Sequence, residues 1–275
     1  MPEPYPFLKG HGTENDFVLL PDHDGTIHGG LSAEEMAQRV RALCDRRAGI
    51  GGDGVLRVVR REGRWFMDYR NADGSIGEMC GNGLRVFVRH LVEEGLVDPA
   101  SPVEVDTRDG LKVVAVDGDL ITADLGTPKV LGDTVVGVGT RSWPARHVNM
   151  GNPHAVAFVD SLDPHGPVGS LLDPPSHDPG TYPEGVNVEF VVRRGERHVA
   201  MRVHERGSGE TRSCGTGACA VMVASALADG TRPTDADVSY RVDVPGGTLT
   251  VTWTTDDRVL LAGPAVIVAR GTAAL

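Results

Sequence analysis

Two of the four cysteines in this 275-residue chain stand in one frame, EMCGNG at 78–83 and RSCGTG at 212–217. A thiol beside small residues, where the chain turns into a helix, meets unpaired backbone amides and the positive end of the helix dipole. Those amides favour a thiolate and are expected to lower the pKa of Cys80 and Cys214 from about 8.5. They can also cradle a carboxylate. Two such thiols on opposite sides of a small carbon acid can do general acid–base chemistry: one removes a proton from carbon, the other supplies one, and configuration inverts. Amides converging from both sides would stabilise the carbanionic intermediate. Two buried structural thiols, or a regulatory disulfide, are the other readings of the repeated frame.

Competing chemistries fit less well. His154, in NPHAVAF, can activate a cysteine nucleophile, but a Cys-His pair does not explain why the frame occurs twice. No CxxC pair is present, and Cys80 with His154 lacks the compact ligand cluster of a zinc site. AGIGGDG at 48–54 has neither a GKS/GKT ending nor a GxGxxG spacing, so it reads as a tight turn or a substrate-facing loop rather than a phosphate loop. Cys44 and Cys219 fall on apolar helical positions and read as core.

The elements that must position these thiols are legible in part. HGTEND reads as a turn ahead of a buried strand, FVLL at 17–20. Ser32 and Glu35 form a capping box for a helix in which Leu31 staples to Met36 and Met36, Val40, Leu43 and Cys44 share a face. WFMDYR reads as a strand, DGS as a turn, and CGNGLRVFVRHLVEEG as a helix with Leu84, Phe87, Val88 and Leu91 inward and Gly95 as its stop. HVAMRVHER, GSGE and CGTGACAVMVASALADG repeat that plan, the last ending at Gly230.

An offset of 134 residues carries Cys80 onto Cys214, FMDY at 66–69 onto AMRV at 200–203, and Asn71 onto Glu205. Downstream, VEVDT at 103–107 resembles VDVPG at 242–246, and GLKVVAVDGDLITADLG resembles GGTLTVTWTTDDRVLLAG. Two copies of an α/β unit related by a pseudo-twofold are therefore expected, residues 1–125 and 126–263, with 264–275 returning to the first as a strand. The Pro-rich stretch from Asp163 to Pro183 reads as a loop or short-helix excursion.

Lys and Arg total 27 against 38 Asp and Glu, a formal charge of −11 that disfavours nonspecific attraction to nucleic acid or anionic lipid. No apolar run approaches the roughly 20 residues of a membrane span, and no basic-then-apolar leader opens the chain, so a cytoplasmic location with reduced thiols is expected.

HGTENDF (11–17), GIGGDG (49–54), NADGSIGEMCGNG (71–83), NMGNPHAV (149–156), GVNVEF (185–190) and HERGSGETRSCGTGACA (204–220) together resemble the diaminopimelate epimerase family across nearly the whole chain. The resemblance implies an α/β fold of two similar domains, each a strongly curved mixed sheet around a long central helix. It also implies a homodimer, and a cofactor-independent isomerase converting LL- to meso-diaminopimelate for lysine and peptidoglycan precursor synthesis. Cys80 would be the base toward the LL isomer and Cys214 the opposed acid, with His154 and Glu205 tuning them. Asn15, Asn71, Asn152, Asn187, Glu205 and Arg206 would contact substrate, and the amides of Gly81, Asn82, Gly215 and Thr216 would hold its α-carboxylate. An Arg206 fork on a distal carboxylate and a Glu205 acceptor for an ammonium are chemically coherent with that substrate.

Each residue also has a purely structural reading, as turn, strand end or exposed charge pair. Gly54 stands where some family members carry a substrate-touching glutamine and is given no such role; His11 is read as turn or packing. A proline or hydroxyproline racemase, sharing two-thiol chemistry but acting on a compact cyclic substrate, and a noncatalytic amino-acid-binding protein remain as alternatives.

Overall fold

Strand-forming alternation dominates the chain, and the computed structural model, which describes residues 3–275, shows two strand-rich units. One comprises the residues up to Ala123 with Gly263–Leu275, the other Asp124–Ala262. The first opens with a hairpin of β1 (Tyr5–Gly12) and β2 (Asn15–Pro21). Its turn residues, Thr13 and Glu14, both have positive φ, 49° and 62°. HGTEND is therefore mostly strand, and Asn15 pairs with Gly12 across the hairpin instead of lying in a turn. Such turns favour Asn-Gly or Asp-Gly, so Thr-Glu gives no local signal for one.

Helix α1 (Ala33–Cys44) has the expected capping box: the Ser32 side chain accepts from the Glu35 amide, and the Glu35 carboxylate accepts from the Ser32 amide. Met36, Val40, Leu43 and Cys44 are buried on it, with Leu31 packed against that cluster. After α1 come the hairpin β3 (Gly54–Arg61) and β4 (Arg64–Asn71), helix α2 (Gly81–Glu93), and β5 (Val103–Thr107), β6 (Gly110–Asp117) and β7 (Leu120–Asp124). Gly95, at φ 66°, ends α2 in a Schellman motif: its amide reaches the Val92 carbonyl, and the Leu96 amide reaches the Leu91 carbonyl. Leu84, Phe87, Val88 and Leu91 are all fully buried.

The second unit comprises β8 (Lys129–Val138), β9 (Arg141–Asn149), β10 (Pro153–Phe158), the short β11 (Ser176–His177), β12 (Asn187–Gly195), β13 (His198–Glu205), β14 (Gly209–Thr211), α3 (Gly215–Ala228), β15 (Val238–Val244), β16 (Gly247–Trp253) and β17 (Val259–Pro264). The chain then ends in β18 (Val266–Ala273), which pairs with β1. Helix α3 is buried on almost every side from Gly217 to Ala226. It ends like α2, with Gly230 at φ 64° and paired bonds to the Leu227 and Ala226 carbonyls.

The two units share one strand grammar. The order β18-β1-β2-β3-β4-β5-β6-β7 has neighbours antiparallel, antiparallel, parallel, antiparallel, parallel, antiparallel, antiparallel. The order β8-β9-β10-β12-β13-β15-β16-β17 repeats that sequence of senses. Each central helix follows the hairpin and packs on the strands of its own unit, α2 on β1 to β4 and β18, α3 on β9, β10, β12, β13, β15 and β16. Two α/β repeats, each a mixed sheet about a long helix, are thus observed.

Two details depart from the sequence reading. Trp65 pairs with Val105 and Val199 with Val242, so the repeat runs at offset 137 past the helix, and VEVDT matches YRVDV at 240–244, not VDVPG. A two-residue slip leaves the inward and outward alternation unchanged, so pattern alone cannot detect it. The crossover from β10 to β12, where the first unit has α1, carries no helix. The Pro-rich segment covers that position as a loop whose Val168, Leu171 and Tyr182 join the core of Val136, Val188 and Phe190. No helix among the described residues is long and apolar enough to cross a membrane.

Candidate active site

In the first unit Cys80 is the N-cap of α2, with extended φ −140° and ψ 119°, and its sulfur accepts from the Gly83 amide at 3.5 Å. Extended geometry at the cap aims the side chain back over the first helical turn, where the amides of Gly81 and Asn82 lie. The thiol donates to Asn15 Oδ1 at 3.6 Å, and Asn82 Nδ2 donates to the same oxygen at 3.2 Å.

Asn15 is itself anchored: its Nδ2 donates to Asp53 Oδ2 at 2.7 Å, and that oxygen also accepts from the Asp16 amide. Arg46 bridges Asp53 and Asp16, and Lys9 adds a second cation to Asp16. These cations hold the Asp16 carboxyl far below its ordinary range against the opposing effect of burial. The glycine loop at 49–54 therefore delivers Asp53 to Asn15. Asn71, at the end of β4, accepts from Tyr69 Oη at 2.7 Å and donates to Ser75 Oγ at 2.9 Å, so its amide is occupied within its own turn. Gly54 has no room for a side chain, since a Cβ there would lie 2.5 Å from the Arg70 carbonyl oxygen.

The second unit repeats the cap. Cys214 has φ −118° and ψ 115°, its sulfur accepts from the Gly217 amide at 3.4 Å, and Thr216 Oγ1 lies 3.6 Å away. Gly215 is buried and Thr216 partly so on the first turn of α3. Glu205, the residue on β13 equivalent to Asn71, lies close enough to Cys214 to act on it electrostatically, and its Oε1 accepts from Thr211 Oγ1.

The expected lowering of the cysteine pKa fails at Cys214. Burial pushes this thiol up, and the carboxylates of Glu205 and Glu189 push it further. One cap amide and the Thr216 hydroxyl oppose them and lose. Burial also raises Glu205, against the bond it accepts from Thr211.

His154, on β10, is fully buried, with Nδ1 2.6 Å from Glu189 Oε1 and Nε2 3.0 Å from Asn152 Oδ1. The Asn187 amide is spent on backbone: its Nδ2 donates to the Pro153 carbonyl at 3.2 Å, and its Oδ1 accepts from the Arg206 amide at 2.9 Å. It thus sets where Arg206 leaves β13. The Arg206 stem runs over Gly185, and its guanidinium, exposed, touches the Glu184 carbonyl.

Asn15, Asn82 and Cys80 are thus joined in one cluster at the start of α2, and Asn152, His154, Glu205 and Cys214 are gathered around the start of α3. Asn71, Asn187 and Arg206 are fixed by local bonds beside them. Asp53, Glu189, Tyr69 and Thr211 are supporting residues that sequence reasoning missed. Glu189 had a signal, as the one charge in the apolar run VNVEFVV, because a buried charge demands a partner. Among the described residues no cluster of three or more His, Cys, Asp or Glu is arranged to hold a metal ion.

Comparison with known proteins agrees with this architecture. The profile of the family described as diaminopimelate epimerase matches residues 7–131 and 146–269. The chain is 58% identical to a diaminopimelate epimerase of Streptomyces coelicolor, over 96% of this chain and 94% of that one. With the Corynebacterium glutamicum enzyme of that name identity is 42%, over 97% of both. Among solved structures, a Bacillus anthracis phenazine biosynthesis protein of the PhzF family superposes with a TM-score of 0.77 at 18% identity, over 99% of this chain and 100% of that one. A hydroxyproline epimerase from Agrobacterium vitis gives 0.71 at 16%, over 99% and 91%. Those two structures share the fold, whereas matched repeats, paired caps and near-full-length identity place the chain in the diaminopimelate epimerase family.

Proposed function

We propose that this chain interconverts LL- and meso-diaminopimelate by two-base proton transfer, a cytoplasmic step toward lysine and peptidoglycan precursors, and that it works as a homodimer. Cys80, as thiolate, takes the α-proton of the LL isomer; Cys214, as thiol, gives a proton to the opposite face; the reverse reaction exchanges the roles. The observation that carries this reading is the pair of equivalent cap cysteines, each taking an amide hydrogen at its sulfur, in a chain of this family.

The half-sites are unequal in a way that suits a division of labour. Cys214 is nearly enclosed and surrounded by carboxylate charge, which keeps it protonated and ready as an acid. Cys80 is more open and faces a neutral asparagine oxygen. The amides of Gly81, Asn82, Gly215 and Thr216 are suited to the substrate α-carboxylate, and Arg206, exposed at its tip, to the distal one. Asn152 and Glu205, with the second amide hydrogens of Asn71 and Asn187 left over from their local bonds, supply the remaining polar contacts.

The test is deuterium wash-in from heavy water with LL-diaminopimelate and with L-proline as substrates. Exchange and epimerisation are expected with the first only, and exchange with proline alone would reject the assignment. Cys80→Ser and Cys214→Ser should each lower kcat by roughly 1,000-fold, within the range expected for losing a general acid or base. Normal turnover in either variant, or tight binding without exchange in the wild type, removes the paired-thiol mechanism.

A further inference from the structure

The two repeats match closely around their cysteines, which makes one difference between them informative. In the first unit Phe17 pairs two positions before Leu19, and Leu19 pairs with Leu56; in the second, His154 stands two positions before Val156, which pairs with Glu189. The strand registers thus place His154 where the first unit has Phe17, and Glu189 where it has Leu56. The surroundings of the helix caps agree. A Cβ on Gly83 would meet Leu56 at 3.2 Å and Phe17 at 3.4 Å, while a Cβ on Gly217 would meet Glu189 Oε1 at 2.7 Å. An apolar pair underlies one cap, and an acid–base pair underlies the other.

Both members of that second pair are fully buried. Taking a carboxylate and an imidazole out of water is costly, and an apolar pair of similar volume is often as stable or more so. The first unit demonstrates that such an apolar pair suits this fold. Packing therefore does not account for Glu189, and its position does suggest what it does. Its Oε1 holds His154 Nδ1 at 2.6 Å and lies 2.7 Å from the Cβ site of residue 217, a point that is itself 3.2 Å from Cys214 Sγ. Its Oε2 has no partner among the described residues.

We propose that Glu189 is a positioning residue for the epimerisation: it keeps the hydrogen of His154 on Nδ1, so that Nε2, toward Asn152, is the nitrogen free to exchange a proton. As placed, Asn152 Oδ1 faces Nε2 at 3.0 Å and accepts from it when both nitrogens are protonated; with hydrogen on Nδ1 alone, the Asn152 amide turns over and its Nδ2 donates to Nε2. In either state the carboxylate decides which nitrogen is held and which one exchanges. The proposal rests on the assignment of an epimerase reaction, but its central claim concerns the ring and can be read without substrate.

The test combines nitrogen NMR of His154 with kinetics of Glu189→Gln. In the wild type, Nδ1 is expected to resonate as a hydrogen-bearing nitrogen. In E189Q the amide can donate to Nδ1, so the hydrogen moves to Nε2, and kcat falls at least about 100-fold with KM little changed, as when a catalytic histidine is left in the wrong tautomer. A double variant, His154→Phe with Glu189→Leu, copies the apolar pair of the first unit. It should fold with a Tm at or above that of E189L and be no slower than H154F alone, because the two residues act as a unit.

A wild-type Nδ1 without hydrogen, or E189Q with the hydrogen still on Nδ1 or with unchanged kcat, overturns the proposal. If the wild type fails to epimerise diaminopimelate, the functional assignment falls instead, and the ring nitrogens still decide the role of Glu189.

Discussion

At the scale of single residues, a cysteine at a helix start was expected to be acidic, and Cys214 shows how burial reverses that. A cap amide offers one partial charge, whereas loss of water and two nearby carboxylates act together against the thiolate. Cys44 is buried and pushed up to about 12 by the same loss of water, and Cys219 is wholly enclosed. Iodoacetamide at pH 7 should therefore label Cys80 first, with Cys214 at least roughly tenfold slower, one pKa unit being a factor of ten in thiolate. Glu205→Gln removes one of the charges that raise Cys214 and should speed its labelling. Peptide-mapped rates would show this, and a wild-type protein that labels Cys214 faster than Cys80 contradicts the assignment of Cys214 as the resting acid.

At the scale of elements, the sequence was legible wherever a local signal had a local cause. Ser32 and Glu35 announce α1, and the Cys-Gly-x-Gly frames announce α2 and α3, because caps are short-range chemistry. Gly95 and Gly230 announce the ends of α2 and α3 because both sit at positive φ in a Schellman motif. Replacing either by alanine should cost about 1 kcal/mol, the penalty for an L side chain in the left-handed region, read as a shift in urea midpoint at constant slope. An unchanged midpoint in both variants would mean the helix ends are held from elsewhere. What was not legible depended on partners distant in sequence. The Thr13-Glu14 turn carries no turn residues, β5 and β15 correspond by a register two residues from the one the pattern suggested, and Asn15 depends on Asp53, 38 residues away. The cysteines, Asn15, Asn152, His154 and Glu205 could be named from sequence, but the bonds linking them to Asp53, Glu189 and Thr211 could not.

At the scale of the whole molecule, histidines are buried in both units, and those that burial lowers predict how stability depends on pH. His28 and His90, 2% and 1% exposed, both belong to the first unit, and burial lowers each to about 4. Geometry agrees for His28, whose Nδ1 accepts from Arg39 at 2.9 Å and cannot do so once protonated. In the unfolded chain both would titrate near 6.5. Between pH 6.5 and 4 the unfolded state then binds more protons than the folded one, so stability is fully present above about 6.5 and is lost as pH falls through that window. Each group contributes on the order of 3 kcal/mol across the full window. Lowered carboxylates such as Asp16 and Asp243 lose their contribution below that range, and the raised Asp53 and Glu205 act with the opposite sign, stability falling as pH rises through their pKa values. Net destabilisation on acidification is expected because the lowered histidines, His28, His90 and His147, outnumber the raised carboxylates. Thermal unfolding at low ionic strength should give a Tm that drops by several degrees from pH 7 to pH 4.5. His90→Leu, which removes a buried ring whose two nitrogens have no partner among the described residues, should flatten that slope. A wild-type Tm that is flat or rises toward pH 4.5 would show that the raised carboxylates, and not the buried histidines, govern the acid side of the stability curve.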